Sequence, residues 1–157
     1  MDIQYLGAQF VLLNVLRRNM VRKKTAGYEL RHGQLPLLET LIANPDCTQQ
    51  ELSDTLRVSP ASVAQSVARL ARDGLVEKRV DPHNKRCNRL CATDAGKHAA
   101  VLYRTCFDEV NALTFAGLTD GELEQMSRLF QKTLENFGED ADHILWPPIF
   151  CKEVPNR

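Results

Sequence analysis

The sequence lacks a long apolar run, and this absence argues against a membrane-spanning helix. A bilayer requires about 20 consecutive apolar residues, whereas the densest apolar stretch, residues 10–16, is short and contains Asn14. The basic residues at positions 17–24 follow this stretch instead of preceding it, which is the wrong order for a secretory signal. We therefore expect a soluble cytoplasmic protein.

The motifs of disulfide frameworks, metal sites and common enzymes are also missing. The 5 cysteines are odd in number and contain no Cys-x-x-Cys spacing, which argues against a disulfide framework. No two of the 4 histidines lie one helical turn apart, and neither a glycine-rich phosphate loop nor a Gly-x-Ser-x-Gly motif occurs. We expect no enzyme activity, no cofactor and no metal ion.

Glycine and proline are scarce, and charge of one sign is not in excess. With 8 Gly, 7 Pro and 43% hydrophobic residues, the 157-residue chain is typical of one folded domain. The net charge is zero, but residues 57–98 carry 9 basic and 4 acidic residues, whereas residues 99–157 carry 5 and 10. This segregation is compatible with a basic face for a polyanion.

Hydrophobic periodicity predicts helices in the first part of the chain. Apolar residues recur at intervals of three and four from Ile3 to Met20, which predicts an amphipathic helix with a broad apolar face. A connector, residues 25–33, leads to a short second helix that ends at Asn44-Pro45. The capping box Thr48-Gln49-Gln50-Glu51 begins a third helix that continues through Leu56.

The fourth helix has the clearest start signal. Ser59 can cap it, and Pro60 at the first helical position loses no hydrogen bond. Apolar residues at positions 63, 67 and 70 follow the helical period and Gly74 is expected to end the helix in the left-handed conformation. The polar residues left on the solvent side are Ser62, Gln65, Ser66 and Arg69.

A hairpin and two longer helices follow. Residues 76–80 and 87–92 alternate as short strands around a polar tip at residues 81–86. The core-facing positions of the strands are expected to be Val76, Val80 and Leu90. Thr93-Asp94 caps a fifth helix and a capping box at residues 119–122 begins a sixth. Their apolar stripes are Ala99, Leu102, Cys106, Val110 and Leu113 in the fifth helix, and Leu123, Met126, Leu129, Phe130, Leu134 and Phe137 in the sixth.

The C-terminal tail combines an acidic cluster with an apolar segment. Glu139, Asp140 and Asp142 precede Ile144–Phe150, which contains Trp146-Pro147-Pro148. Its prolines exclude a continuous helix. Because the segment is too apolar for a free end, we expect it to pack across a dimer.

The third and fourth predicted helices are joined by the short turn Arg57-Val58. Because a hairpin follows them, this order predicts a winged helix-turn-helix. The fold class is therefore mainly α with a small two-stranded β-wing. A helix fits the major groove, whereas the preceding helix and the hairpin reach only the backbone or the minor groove. The candidate residues for the major groove are Ser59, Pro60, Ala61, Ser62, Gln65, Ser66 and Arg69. The candidate backbone contacts are Thr48, Gln49 and Arg57.

Over roughly residues 5–137 the chain resembles regulators of the multiple-antibiotic-resistance (MarR) family. The resemblance rests on residues 48–52, 58–63, 70–76 and 81–86, and on the run Leu90-Cys91-Ala92-Thr93-Asp94-Ala95-Gly96. It implies a homodimeric transcription factor, usually a repressor, that binds double-stranded DNA at a palindromic operator. Residues 1–24 and 99–137 would form the helical dimerisation region, residues 25–98 the winged DNA-binding domain, and residues 138–157 a tail.

The resemblance also assigns the wing and an effector. Arg86, with Lys85 beside it, would enter the minor groove, where a guanidinium is favourably placed. His83 and Asn84 complete the tip, and Asn84 replaces the family's usual Asp, which weakens the expected bracing of the wing. A small aromatic or anionic effector would bind where the dimer helices meet the winged domain. Tyr28 and His32 are weak candidates for pocket residues, and the favoured alternative is that they only cap and pack.

Two alternatives stay open at this point. The first is a thiol-based redox sensor of the same fold, in which the N-terminus of the third helix stabilises the Cys47 thiolate and Cys106 faces a dimer partner. The second is a winged helix that binds proteins instead of DNA. Only the DNA hypothesis requires Arg69 and Arg86 for binding.

Overall fold

The computed structural model describes residues 2–25, 30, 34–81 and 88–138, and it confirms the mainly helical fold with a hairpin. The helices are α1 (Ile3–Lys24), α2 (Gln34–Ala43), α3 (Gln49–Leu56), α4 (Pro60–Arg72), α5 (Asp94–Thr114) and α6 (Asp120–Glu135). The strands are β1 (Cys47–Thr48), β2 (Val76–Val80) and β3 (Asn88–Ala92). No helix in the described part of the chain has the length and apolar character needed to cross a membrane.

The predicted capping residues begin the helices as expected. Thr48 accepts a hydrogen bond from the backbone N–H of Glu51 at the start of α3, and Thr119 does the same for Glu122 at the start of α6. In both boxes the carboxylate accepts hydrogen bonds from the backbone and hydroxyl of the capping threonine, which lower the pKa of Glu51 and of Glu122 below the ordinary value of 4.5. Local sequence thus fixes where these helices begin.

The hairpin belongs to a three-stranded antiparallel sheet with strand order β1-β3-β2. Val76 pairs with Ala92 across the hairpin, and Cys47 pairs with Leu90 on the other edge of β3. Strand β1 was not predicted, because two residues are too few to show an alternating pattern. It fixes the base of the wing to the start of α3, which follows it directly in the chain.

The core lies between α2, α3, α4, α5 and the sheet. Its fully buried side chains include Leu38, Leu52, Val67, Leu70 and Leu90. The prediction that Val80 faces this core is wrong, since its side chain is 62% exposed. Burial decreases along β2 from Val76 to Val80, so only the start of this strand is covered by the helices. Leu113, expected on the inward stripe of α5, is also exposed.

Thr93 and Gly96, at the start of α5, have a packing role. A Cβ atom on Gly96 would lie 2.1 Å from the carbonyl oxygen of Leu75, so only glycine permits this approach. The Thr93 hydroxyl donates a hydrogen bond to the carbonyl of Gly74, and the Thr93 backbone N–H donates to Leu75. These contacts join the end of the α4 region to the start of α5.

Helices α1 and α6 remain largely uncovered in the single chain. None of the α6 residues is buried, and Val21 is the only buried residue of α1. The exposed apolar side chains of these helices include Ile3, Tyr5, Leu6, Phe10, Val11, Leu12, Leu13, Val15, Leu16, Leu129, Phe130 and Leu134. An exposed apolar surface of this extent indicates an interaction site.

Candidate nucleic-acid interface

Helix α4 is held so that one side faces the core and the other faces solvent. Ser59 accepts a hydrogen bond from the backbone N–H of Ser62, Pro60 occupies the first turn, and Gly74 has the predicted left-handed φ of 73°. Val63, Val67 and Leu70 are buried. The opposite side of the helix is therefore free to approach a ligand.

The predicted major-groove residues lie on this outer side of α4. Ser59, Pro60, Ala61, Ser62 and Gln65 are exposed, and Ser66 and Arg69 are half-buried. The hydroxyls of Ser59 and Ser62 are 2.9 Å apart and share a hydrogen bond. Within the described ranges, neither the Gln65 amide nor the Arg69 guanidinium has a hydrogen-bond partner. Both groups are free to form the bidentate contacts that distinguish adenine and guanine.

The three predicted backbone contacts lie at the two ends of α3. Thr48 uses its hydroxyl within the capping box, 3.0 Å from the Glu51 carboxylate, and Gln49 is half-buried beside it. Arg57 is exposed in the turn before α4 and has a left-handed φ of 46°. The Ser53 hydroxyl donates to the Val58 carbonyl at 2.6 Å and fixes this turn. Of the three, Arg57 has the side chain best suited to a phosphate.

Two cations on the side of the DNA-binding surface were not predicted from the sequence, one on β2 and one in the last turn of α4. Lys78 lies on β2 with the strand parity of Val76, on the side of the sheet that α4 contacts, and it is exposed. Arg72 is exposed at the end of α4, 3.5 Å from the Asp73 carboxylate. The strand alternation gave a signal for Lys78, since it places the lysine on the same side as the buried Val76. With Arg57 and Arg69, these residues make the surface around α4 basic.

The base of the wing is braced by Arg89. Its Nε donates to the Asp81 carboxylate at 2.7 Å, and its terminal nitrogen donates to the Asp46 carbonyl at 3.1 Å. The Glu51 carboxylate lies 3.8 Å away. Asp81 is buried although it is charged. One guanidinium thus joins the hairpin to the turn before β1 and to the N-terminus of α3.

The predicted wing-tip and connector residues lie outside the described part of the chain. This applies to His83, Asn84, Lys85 and Arg86 at the tip, and to Tyr28 and His32 in the connector. The same holds for the tail from residue 139 onward. Their predicted roles remain predictions.

The described cysteines do not have the properties expected of a redox sensor. Burial raises the pKa of the Cys47 thiol, and the nearby charge of Glu51 raises it further. Both effects act against the thiolate that the redox alternative places at the N-terminus of α3. A hydrogen bond from the Cys91 thiol to the Asp46 carboxylate, 2.8 Å long, raises the pKa of Cys91. Cys106 is buried within its own chain, so the prediction that it faces a partner is wrong.

Arg17 of α1 contacts α5 and has only neutral hydrogen-bond partners among the described residues. Arg17 donates to the Asn111 side-chain oxygen at 2.6 Å and to the Thr114 hydroxyl at 2.8 Å. Its guanidinium carbon is 5.9 Å from the centroid of the Phe115 ring. No carboxylate among the described residues neutralises it. This half-buried cation beside an aromatic ring is chemically suited to an aromatic anion.

Comparisons with known proteins agree with this geometry. Residues 27–86 match the model of the MarR family. The HTH-type transcriptional regulator YybA of Bacillus subtilis is 26% identical over 116 residues, which are 74% of this chain and 77% of the relative. The HTH-type transcriptional regulator BilQ of Clostridium symbiosum is 31% identical over 88 residues, which are 56% of this chain and 61% of the relative.

Solved structures show the same fold. The PcaV transcriptional regulator from Streptomyces coelicolor superposes with a TM-score of 0.71 at 21% identity, covering 87% of this chain and 97% of PcaV. PcaV has also been solved in complex with its natural ligand. Wild-type MarR from E. coli has a TM-score of 0.58 at 20% identity and covers 82% of this chain and 96% of its own.

Proposed function

Because the chain belongs to the MarR family of winged helix-turn-helix transcriptional regulators, we propose that it is a homodimeric, sequence-specific DNA-binding repressor controlled by a small aromatic or anionic effector. The observation that carries the DNA-binding part is the outer side of α4. It presents Gln65 and Arg69 without partners among the described residues, on a helix whose other side is buried. A rigid helix with such groups fits the major groove.

The basic residues around α4 support the placement of the DNA backbone. Arg57 in the preceding turn, Arg72 in the last turn of α4 and Lys78 on β2 are exposed. Contacts of this kind fix orientation and supply the salt-dependent part of affinity, whereas Gln65 and Arg69 select bases. The proposed wing residues, Lys85 and Arg86, would add a minor-groove contact.

Binding-site selection followed by substitution tests this assignment. Duplexes selected from a random pool are expected to contain inverted half-sites about one helical turn, 34–36 Å, apart. Arg69→Ala is expected to cost about 1–3 kcal/mol of binding free energy and to relax the preference at one position of each half-site. Arg128→Ala, which removes an exposed cation from α6, is the matched control and leaves affinity unchanged.

Other outcomes of this selection count against the proposal. Failure to enrich any duplex would reject DNA binding, and an Arg69→Ala variant that binds the selected site as tightly as the parent would favour the protein-binding alternative. Repression is tested separately, because a dimer on an operator that overlaps a promoter blocks the polymerase. A reporter that carries the selected site within its promoter is expected to be silenced.

The effector part of the proposal rests on Arg17. The Arg17 guanidinium has the Asn111 and Thr114 side chains as neutral partners and the Phe115 ring beside it. It lies between α1 and α5, the helices proposed to form the dimer. Helix α5 is joined to the winged domain by the bidentate pair between Arg104 and Glu39, with N–O distances of 2.7 and 2.6 Å. Burial raises the pKa of Glu39, and Arg104 acts in the opposite direction.

An anion at Arg17 would therefore bias the position of α5, and through α2 and α3 that of α4. Benzoate serves as the probe of this site. It is expected to weaken DNA binding by the parent protein, and a coupling of about 1–3 kcal/mol would change the affinity roughly 5- to 150-fold.

Arg17→Gln should bind DNA as the parent does and lose the response to benzoate. The adjacent Arg18→Gln is the control, because Arg18 is exposed. An unchanged benzoate response in Arg17→Gln would remove Arg17 from the proposal.

A further inference from the structure

Helix α1 has an inner side that its own chain contacts. Arg17 binds Asn111 and Thr114 of α5, and the ring of Phe10 lies 6.2 Å from that of Phe130 on α6 in an edge-to-face arrangement. At about 100° per residue, Phe10 and Arg17 point in nearly the same direction. The residues on the far side of the helix are not contacted by these elements.

The far side of α1 carries an apolar stripe, which we call the outer stripe. It consists of Tyr5, Leu12, Val15 and Leu16, whose exposed fractions are 62%, 58%, 46% and 54%. A helix with apolar residues on its whole circumference is normally buried on all sides. The contacts with α5 and α6 lie on the inner side, so the outer stripe stays exposed in the single chain.

A basic end follows the outer stripe on the same side of α1. It consists of Arg18, Arg22 and Lys23, which are exposed and have no ion-pair partner among the described residues. Lys24, on the inner side, is different, since its amine bonds the Glu109 carboxylate and that hydrogen bond raises the pKa of Lys24. From the N-terminus onward, the far side of α1 is therefore first apolar and then basic.

The C-terminal segment has the complementary order. After Gly138, the acidic residues Glu139, Asp140 and Asp142 come first and the apolar segment Ile144–Phe150 follows. An antiparallel arrangement on α1 would pair acid with base and apolar with apolar. The lengths agree, because Asp140 and Trp146 can be separated by up to about 20 Å of extended chain, and Arg22 and Leu12 by about 15 Å of helix.

The direction of α6 decides which copy of α1 is available. Phe115, in the connection before α6, lies beside Arg17, and Phe130, within α6, lies beside Phe10. The chain through α6 therefore runs toward the N-terminal end of its own α1. From Phe130 the helix continues for about 7.5 Å to its end at Glu135. Gly138 follows after a short turn and lies at that end, away from the basic end of its own α1. A two-fold axis perpendicular to α1 would place the basic end of the partner's α1 there.

We propose that the outer stripe of each α1 is the docking site for the segment Ile144–Phe150 of the partner protomer, with the acidic cluster against the basic end. The inference rests on the proposed homodimer and is independent of DNA binding. Each tail would then cover the partner's α1, which adds apolar contact area to the dimer without changing the DNA-binding surface.

The single tryptophan of the chain, Trp146, reports on this contact directly. Two differently tagged chains are co-expressed and heterodimers are isolated, with Trp146→Phe in one chain so that a single Trp remains. Leu12→Lys, a change in the outer stripe, is introduced either in the Trp-containing chain or in its partner. Trp emission and acrylamide quenching are measured, and sedimentation verifies the dimer. Ile42→Lys, on α2, is the control.

The expected result is asymmetric. Leu12→Lys in the partner should shift Trp emission to longer wavelength and increase quenching several-fold, whereas Leu12→Lys in the Trp-containing chain and Ile42→Lys in either chain should have no effect. A solvent-exposed Trp146 in the unsubstituted dimer would overturn the proposal. The proposal would also be overturned if Leu12→Lys changed Trp emission only when it is in the Trp-containing chain, or if Leu12→Lys abolished the dimer. If the unsubstituted protein forms no dimer, the homodimer itself is rejected. Sedimentation therefore distinguishes failure of the tail contact from failure of the proposed homodimer.

Discussion

At the residue scale, Gly96 and Arg57 show how the local backbone limits which residue a position can accept without cost. Gly96 is required by the 2.1 Å approach of its missing Cβ to Leu75. Arg57 is the opposite case, because an arginine occupies a left-handed conformation with φ 46° that glycine would adopt at lower cost. An exposed arginine at a strained position in the turn before α4 is consistent with a contact to DNA phosphate.

Arg57→Gly is expected to separate stability from binding. The left-handed conformation costs an arginine about 1–2 kcal/mol, whereas the added freedom of glycine in the unfolded chain costs about 0.5–1 kcal/mol. The free energy of unfolding measured in urea should therefore rise by roughly 0.5–1 kcal/mol. DNA affinity should fall, and the slope of log affinity against log salt should decrease by about 0.9 for one lost phosphate contact. Arg57→Lys keeps both the charge and the strain, so it should change neither quantity much.

At the element scale, the wing depends on a charged group buried at its base. Asp81 begins the segment that leads to the tip, and Arg89 joins it to the β1 turn and the start of α3. This pair braces the base of the hairpin, whereas Asn84 lies outside the described residues. The sequence contains both residues, but eight positions separate them, and only the antiparallel pairing of β2 with β3 brings them together.

Removal of either partner of this pair should loosen the wing. Asp81→Asn and Arg89→Gln are each expected to lower the free energy of unfolding by about 1–3 kcal/mol, because each leaves a poorly paired group at a partly buried site. Both should weaken DNA binding, although Asp81→Asn removes no positive charge.

The double variant should be less destabilised than the sum of the single variants. Arg79→Gln, which breaks the exposed pair with Glu77, is the control in urea and DNA titrations. If Asp81→Asn binds DNA more tightly than the parent, its loss of negative charge matters more than the bracing, and this account is wrong.

At the scale of the whole molecule, the uncovered helices α1 and α6 point to assembly. Leu129 and Phe130 of α6 and most apolar residues of α1 are exposed in the single chain, whereas the core of the winged domain is complete without a partner. Bundling of these helices in a two-fold dimer would bury part of this surface and would present two copies of α4 to one duplex.

Disruption of this surface should abolish bivalent binding. Leu129→Lys is expected to yield monomers in sedimentation experiments at micromolar concentration, because a charge in an apolar interface is poorly solvated. Loss of the second half-site contact should reduce affinity for a palindromic duplex about 10²- to 10⁴-fold. Affinity for a single half-site should change little. Ile42→Lys, a comparable change on α2, should remain dimeric, and a dimeric Leu129→Lys would place the interface elsewhere.

The sequence by itself determined the elements that local interactions specify. The capping boxes at Thr48 and Thr119, Pro60 and Gly74 fix helix ends through contacts within a few residues, and the period of Val63, Val67 and Leu70 fixes which side of α4 faces outward.

Only the tertiary structure decided what depends on distant parts of the chain. This applies to the short strand β1, the exposure of Val80, the raised pKa of Cys47 and the Arg89–Asp81 pair. The physical reason is that burial and desolvation are properties of what packs around a residue, and a one-dimensional pattern records only its neighbours in the chain.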